Sequence, residues 1–564
     1  MIPAMLAQVP AAPPVDIPEI AWAAISPELV LFGVGILALL LDTAGAQRLQ
    51  ASFVVFGGVV AAAVFAFLNT DAGVLAAIVA LGALAQFALT AIWRDRPRML
   101  SAILTALGFA AGLGVSAWQW ATYAGGAVAT VGGQALPVVG TASVIGDMVA
   151  VDGVALFTRF TVCLAGLVTV PLGYAYADDR RIHRGEYYPL LLFAATGMTL
   201  LAAAADLIMV FIAIEVLSLS LYILCGFARR DLRSQESAFK YFLLGAFSSA
   251  LLLYGVALAY GATGSTNIAE VGRAFAGLDA PRGLVVASMA LLLVGFAFKT
   301  ALVPFHMWTP DVYQGAPTPV TGFMAAATKA AAFAAFVRVF VGALAPLQWS
   351  WAPVFWIIAV VTMMAGAILA VVQTDLKRML AYSSIAHAGY VLIGLLAVSR
   401  DGVSGLLFYL LVYTFMSLGS FGVLAALERR GRKAMALDDL RGLGRRSPLP
   451  AGMLALFLLS LAGIPGTAGF MAKFAVFRAG VEAGQTSLVV VAVVSSIIAA
   501  FFYIRVIVAM FMDDEPAALA ALPPVATTSG ISAGLSASAA VVVILGIVPG
   551  ILVDLAARAA TFAG

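Results

Sequence analysis

About sixteen apolar runs of bilayer-spanning length follow one another along this chain, and no other feature limits its possible folds as much. They lie at about 27–42, 51–69, 73–93, 98–121, 151–176, 188–205, 207–228, 238–261, 284–308, 319–341, 351–373, 376–398, 403–427, 450–478, 487–512 and 529–555, and runs of this kind read as transmembrane helices. With 564 residues, 63% hydrophobic and 10% charged, the chain lacks the polar surface to cover a soluble globule. It reads as an all-α polytopic membrane protein. A formal net charge of +3, scattered among loops, excludes nucleic acid as a partner. Cys163 and Cys225 lie in separate runs with no CxxC and no Cys/His cluster. Haem, iron–sulfur and zinc sites therefore lack ligands, and any redox chemistry belongs to another chain. The first 26 residues have no Lys or Arg ahead of their apolar part, which argues against a cleaved signal peptide; Pro10, Pro13, Pro14 and Pro18 suggest an extended arm.

Basic residues test this division independently, because they gather on the cytoplasmic side. Arg94, Arg96 and Arg98 follow the third run, Arg180, Arg181 and Arg184 the fifth, and Arg229, Arg230 and Arg233 the seventh. Lys377 and Arg378 follow the eleventh, and a cluster from Arg429 to Arg446 follows the thirteenth. Every basic loop thus follows an odd-numbered run, and Arg273 and Arg282, in an even-numbered loop, are balanced by Glu270 and Asp279. Both termini are expected on the non-cytoplasmic side.

A faint repeat is superimposed on this pattern. KYFLLGAFSSALLLYGVAL in the eighth run matches FYLLVYTFMSLGSFGVLAAL in the thirteenth, and the run after each is interrupted by proline, at Pro304 and Pro465. An offset of five helices reverses orientation, so runs six to ten and eleven to fifteen form an inverted repeat with two broken helices. Proline frees backbone groups there, tolerable only inside protein or beside water. Such paired breaks point to an ion path.

Charges within the runs point to the same place. A charged side chain at a helix centre costs roughly 2.5–3.5 kcal/mol, so Lys299 and Lys329 must face protein, water or other charges. Both read as proton-transfer candidates, as does Glu215 in VFIAIEVLSLSLYIL, for which a purely structural ion pair is the competing reading. A Glu215–Lys299 pair would tune the lysine's proton affinity. Lys473, in GTAGFMAKFAVF after the second break, either joins this set or snorkels to the interface. His306, beside Pro304, and His387, in SSIAHAGYVLIG, read either as relays, since imidazole titrates near neutrality, or as hydrogen-bonded core residues. Lys240 reads mainly as interfacial, with a relay role as the alternative, His183 as solvated in a basic loop, and Trp and Tyr at run ends as interfacial anchors.

FKTALVPFHMWTPDVYQGAPTPV, TKAAAF, DLKRMLAYSSIAHAGYVLIG and LAGIPGTAGFMAKFAVF together resemble the subunit N family of bacterial proton-pumping NADH:quinone oxidoreductase (respiratory complex I), the counterpart of mitochondrial NADH dehydrogenase subunit 2. The resemblance covers roughly residues 150–555, and the VPFH-W-PD-Y-GAP string and the lysine of MAKF separate this family from its antiporter-like sisters. It implies an antiporter-like core of about fourteen helices, each inverted five-helix repeat providing a half-channel. It also implies a path from Glu215 paired with Lys299, through Lys329, to Lys473. No cofactor is implied on this chain; NADH, FMN, iron–sulfur clusters and quinone are implied on partner subunits, among them the sisters, in a bacterial inner membrane. Runs 51–69 and 73–93 look like an inserted pair of unknown role.

The expected division is an arm (1–26), N-terminal helices (27–121), a non-cytoplasmic loop (122–150), a helix before the repeats (151–187), the first repeat (188–341), the second (351–512), and a linker with a C-terminal helix (513–564). Two other functions compete with a redox-driven pump module. One is a subunit of a free-standing cation/proton antiporter. The other is a non-pumping scaffold that uses the same buried charges for assembly.

Overall fold

A computed structural model describes residues 24–43, 97–123, 127–131, 134–138, 142–144, 146–277, 281–428, 435–516, 519, 524, 525 and 527–561. The arm and the runs 51–69 and 73–93 lie outside the described residues. The helices are α1 (Ser26–Thr43), α2 (Pro97–Tyr123), α3 (Gly153–Asp179), α4 (Tyr187–Ala203), α5 (Leu207–Cys225), α6 (Leu232–Thr263), α7 (Ile268–Ala276), α8 (Arg282–Thr300) and α9 (Trp308–Gly315). They continue as α10 (Thr318–Ala343), α11 (Gln348–Val371), α12 (Leu376–Leu396), α13 (Arg400–Leu427), α14 (Pro448–Ala462), α15 (Ala468–Glu482), α16 (Thr486–Phe511), α17 (Ser529–Ile547) and α18 (Gly550–Ala559). Among the described residues, 11 helices are long and apolar enough to cross a membrane.

The bundle is layered by sequence. Helix α13 is apolar on every side and buried from Gly402 to Leu427, as such a helix must be. It forms the hub, packed against α3, α10, α12, α14, α15, α17 and α18. Helix α10 is equally enclosed. It alternates α-helical turns with π-helical segments at Met324–Thr328 and Val337–Ala343, a distortion frequent at functional sites. Helices α6, α11 and α16 expose one apolar face, including Phe247, Ile357 and Ile497.

Two inverted repeats are visible as matching local chemistry. Asp206 caps α5 by accepting from Ile208 N at 2.7 Å and bridges to Asn267, beyond α6. Asp375 likewise caps α12 by accepting from Arg378 N at 3.0 Å and bridges to Ala436, beyond α13. An aspartate at a helix start satisfies amide groups that have no intrahelical acceptor. Each pair is followed by a broken helix, α8/α9 and then α14/α15. The first halves end in left-handed residues, Ala301 (φ 61°) and Gly463 (φ 86°).

Three boundaries differ from the sequence reading. The run 284–308 stops as a helix at Thr300, and 450–478 divides at residues 463–467; prolines beyond both points cannot donate to a helical ladder. The run 529–555 also divides, ahead of Pro549. The expected loop 122–150 carries two antiparallel hairpins, β1 (Ala127–Val131) with β2 (Gln134–Val138) and β3 (Ala142–Val144) with β4 (Val149–Val151).

Candidate functional site: a row of buried lysines

Lys299, Lys329 and Lys473 are 3%, 3% and 5% exposed, so none snorkels to an interface. Each ammonium instead meets a serine from a neighbouring helix and lies over an aromatic ring, a combination that supplies hydrogen-bond acceptors and π-electron density to a cation held away from bulk water.

Lys299 sits in the last turn of α8, where the helix dipole favours positive charge. It donates to Ser218 Oγ at 2.7 Å and lies 5.7 Å from the Tyr222 ring centre and 5.8 Å from that of Tyr241. The expected pairing with Glu215 takes a different form: among the described residues no ion pair joins them, and Ser218, one turn along α5 from Glu215, takes the lysine instead. Glu215 Oε1 is buried with no hydrogen-bond partner. The carboxyl is half-buried on a face of α5 it shares with the exposed Ile212 and Leu219, because positions four and seven apart lie on one side of a helix.

The first break keeps its freed backbone groups satisfied. Val303 N donates to Thr362 Oγ1 at 3.0 Å, and Trp308 Nε1 donates to the Phe298 carbonyl at 3.0 Å. His306 is half-buried in this segment, and its Nδ1 has no partner among the described residues. It makes no hydrogen bond to either lysine there, so the structure does not bring it into the row.

Lys329 follows the first π-helical segment of α10 and donates to both the carbonyl and the hydroxyl of Ser384 on α12. Its Nζ lies 5.7 Å from the Tyr413 ring centre. On the same face of α12, His387 Nδ1 meets Tyr409 OH at 2.7 Å and Nε2 meets Tyr503 OH at 3.3 Å. Tyr503 OH also bonds Ser383 Oγ, so exchangeable protons link Ser383, the chain neighbour of the serine that holds Lys329, to His387 and on to Tyr409. Tyr390 lies on the far side, its ring centre 5.5 Å from that of His387 and 5.1 Å from Lys473 Nζ, and its hydroxyl bonds Ser495 at 3.0 Å. Lys473 donates to Ser496 Oγ at 2.6 Å and to the Ala462 carbonyl, at the end of α14, at 2.8 Å. The two broken helices thus each place a lysine at the carbonyl end of their first half.

Lys240 lies outside this row. It pairs with Glu236 at 2.5 Å and Asp311 at 2.6 Å, and Asp311 also holds Arg378 at 2.5 Å. This cluster ties α6, α9 and α12 at one end of the bundle.

Sequence reasoning missed Asp311, Ser384, Ser496, Tyr409 and Tyr503. Ser383 and Ser384, four and three residues before His387, were a usable signal; the two tyrosines, inside their runs rather than at run ends, carried none, and both are buried. His183 also differs from expectation. It is buried, its ring 5.0 Å from that of Tyr174 and 5.6 Å from that of Tyr188. Among the described residues no group of three His, Cys, Asp or Glu side chains gathers to hold a metal ion.

A helical bundle with two inverted repeats, two broken helices and lysines at the breaks defines the antiporter-like class of membrane subunits. Residues 204–499 match the family model described as NADH:quinone oxidoreductase/Mrp antiporter, TM. A protein of Streptomyces griseus named NADH-quinone oxidoreductase subunit N 3 is 54% identical over 317 residues, 54% of this chain and 57% of that protein. The subunit N of Salinispora arenicola is 45% identical over 449 residues, 74% of this chain and 86% of that protein. Among solved structures, a chain of respiratory complex I from Thermus thermophilus matches with TM-score 0.68 at 35% identity, over 85% of this chain and 99% of that one. The chain belongs to the NADH-quinone oxidoreductase subunit N family.

Proposed function

We propose that this chain is a proton-translocating subunit in the membrane arm of a type I NADH:quinone oxidoreductase, moving protons through its buried lysines while electrons pass through other subunits. The observation that carries the reading is the row itself. Three enclosed ammonium groups, each on a serine, are spaced by a histidine whose two nitrogens both meet tyrosine hydroxyls. A scaffold has no need of titratable groups in sequence, whereas proton transfer needs donors and acceptors that direct hydrogen bonds or intervening water can link.

In this mechanism, quinone reduction elsewhere alters the charge around Glu215. Lys299, shared between Ser218 and the field of that carboxylate, then loses or gains proton affinity; about 1.4 kcal/mol changes it tenfold. A proton released towards Lys329 passes by way of Ser383, Tyr503 and His387 to the Tyr390 side and Lys473. NADH, FMN, iron–sulfur clusters and quinone belong to partner subunits, which include antiporter-like sisters. The basic loops orient both termini away from the cytoplasm in a bacterial inner membrane.

The test is Lys329→Ala in the assembled complex. NADH oxidation is expected to persist in part while proton uptake into vesicles falls by roughly tenfold or more. Wild-type pumping in that variant overturns the mechanism. Purification of a tagged chain without flavin and iron–sulfur subunits overturns the assignment to a redox complex in favour of a free-standing antiporter.

A further inference from the structure

Beyond the lysine row, a concentration of basic side chains surrounds a cavity of about 910 Å³ at one end of the bundle. It opens between the end of α3, the α5–α6 turn, the α9–α10 turn, the start of α12 and the end of α13. Arg180, Arg181, Arg184, Arg229, Arg230 and Arg233 line it, together with Lys377, against only two acids, Asp231 and Glu428.

Among the described residues the two acids leave five of the six arginines without an ion-pair partner. Glu428, buried at the floor, accepts from Thr318 Oγ1 at 2.7 Å and lies 3.6 Å from Arg180 Nη2 and 3.7 Å from Lys377 Nζ. Asp231 is used as the cap of α6, accepting from Arg233 N at 3.0 Å. Among the described residues the side chains of Arg181, Arg184, Arg229, Arg230 and Arg233 have no ion-pair partner, and Arg180 Nε is buried without an acceptor. Guanidinium groups converging on a recess suit the oxygens of a phosphate.

The surroundings point to a lipid phosphate. Leu232 lines the same cavity and is 78% exposed. From it α6 continues into the membrane with Phe239 and Phe247 turned outward, 64% and 66% exposed. A basic recess above an apolar helix face is amphipathic in the same sense as a phospholipid at the edge of its leaflet.

We propose that this cleft binds the phosphate of an anionic phospholipid, its headgroup held by the arginines and its acyl chains laid along the outer face of α6. The proposal concerns no residue of the lysine row and stands or falls independently of proton transfer. Topology alone explains basic loops on one side of the membrane, but not their convergence on one recess.

The experiment places the delipidated full chain in nanodiscs of phosphatidylcholine with or without phosphatidylglycerol and counts retained lipids by native mass spectrometry. Wild type is expected to retain phosphatidylglycerol selectively. One basic side chain near an anionic headgroup is worth roughly fivefold, so the Arg229→Gln, Arg230→Gln, Arg233→Gln triple is expected to weaken retention on the order of 100-fold, while Arg273→Gln, in α7 beyond the far end of α6, leaves it unchanged. Equal retention by wild type and triple overturns the proposal. So does protection by inorganic phosphate with no preference between the two lipids, which would make this a free-phosphate site, and so does an acidic segment of another chain filling the cleft in a map of the assembled complex. A photoreactive phosphatidylglycerol tests wild type without any variant: cross-links within 180–184 and 227–233 support the site, and cross-links confined elsewhere overturn it.

Discussion

Gly463 and Gly466 separate backbone strain from lysine placement, because both adopt φ +86°. A Cβ on Gly463 would come within 2.9 Å of Lys473 Cδ and 3.2 Å of its Nζ, while one on Gly466 meets nothing within 4 Å. Alanine in the left-handed region costs about 1–2 kcal/mol at either site. Gly463→Ala and Gly466→Ala are therefore expected to lower the thermal midpoint by similar amounts. Only Gly463→Ala moves Lys473 off Ala462 and Ser496, and so only it is expected to depress proton uptake severalfold in the assembled complex; equal pumping in the two variants would remove that placement from the mechanism. The three lysines were legible in the sequence because a charge inside an apolar run is an anomaly with a large cost. Their partners were not. Ser218, Ser384 and Ser496 are ordinary helix residues until the rotation of each helix is known, and Tyr409 and Tyr503 meet His387 only through the packing of α12, α13 and α16. His183 misled in the opposite sense, since its basic sequence neighbours say nothing of the two tyrosines that enclose it.

At the scale of elements, the least visible feature from sequence is an ion pair that fastens three helices. Asp152 caps α3, accepting from Ala155 N at 2.9 Å, and receives both terminal nitrogens of Arg338 at 2.7 Å. Arg338 Nε donates to the Ala202 carbonyl, at the end of α4, at 2.6 Å. The arginine, in the second π-helical segment of α10, is 1% exposed. Asp152→Ala is expected to cost about 3–5 kcal/mol, because it strands a buried guanidinium, plus about 1 kcal/mol for the lost cap. Adding Arg338→Met should recover most of the first cost, and thermal unfolding in detergent measures both. Periodicity could not reveal this pair. Arg338 lies near the end of the run 319–341, where an arginine ordinarily reaches water, and its partner is 186 residues away. The broken helices were legible for the opposite reason: Pro304 and Pro465 forbid a continuous ladder whatever the tertiary context. Only their lengths were misjudged, as apolar composition continues through both breaks.

For the whole molecule, Glu215 ties the chain to its surroundings. It is half-buried on α5, between Ile212 and Leu219, which are 44% and 53% exposed, so this chain alone does not enclose it. One carboxylate oxygen is buried without a partner, and Lys299 is engaged with Ser218. If the acid served only to hold the fold, its removal would weaken the chain. The geometry argues the reverse, since a carboxylate within a span that has a buried oxygen without a hydrogen-bond partner carries a cost of a few kcal/mol that an apolar side chain does not. Functional sites commonly retain such costs, and replacing the responsible residue raises stability while activity falls. Glu215→Leu is accordingly expected to raise the thermal midpoint of the isolated chain in detergent and, in the assembled complex, to lower proton uptake per NADH oxidised. The two measurements must move in opposite directions: a lowered midpoint would make Glu215 a structural partner, and a raised midpoint with undiminished pumping would leave its charge without a part in proton transfer.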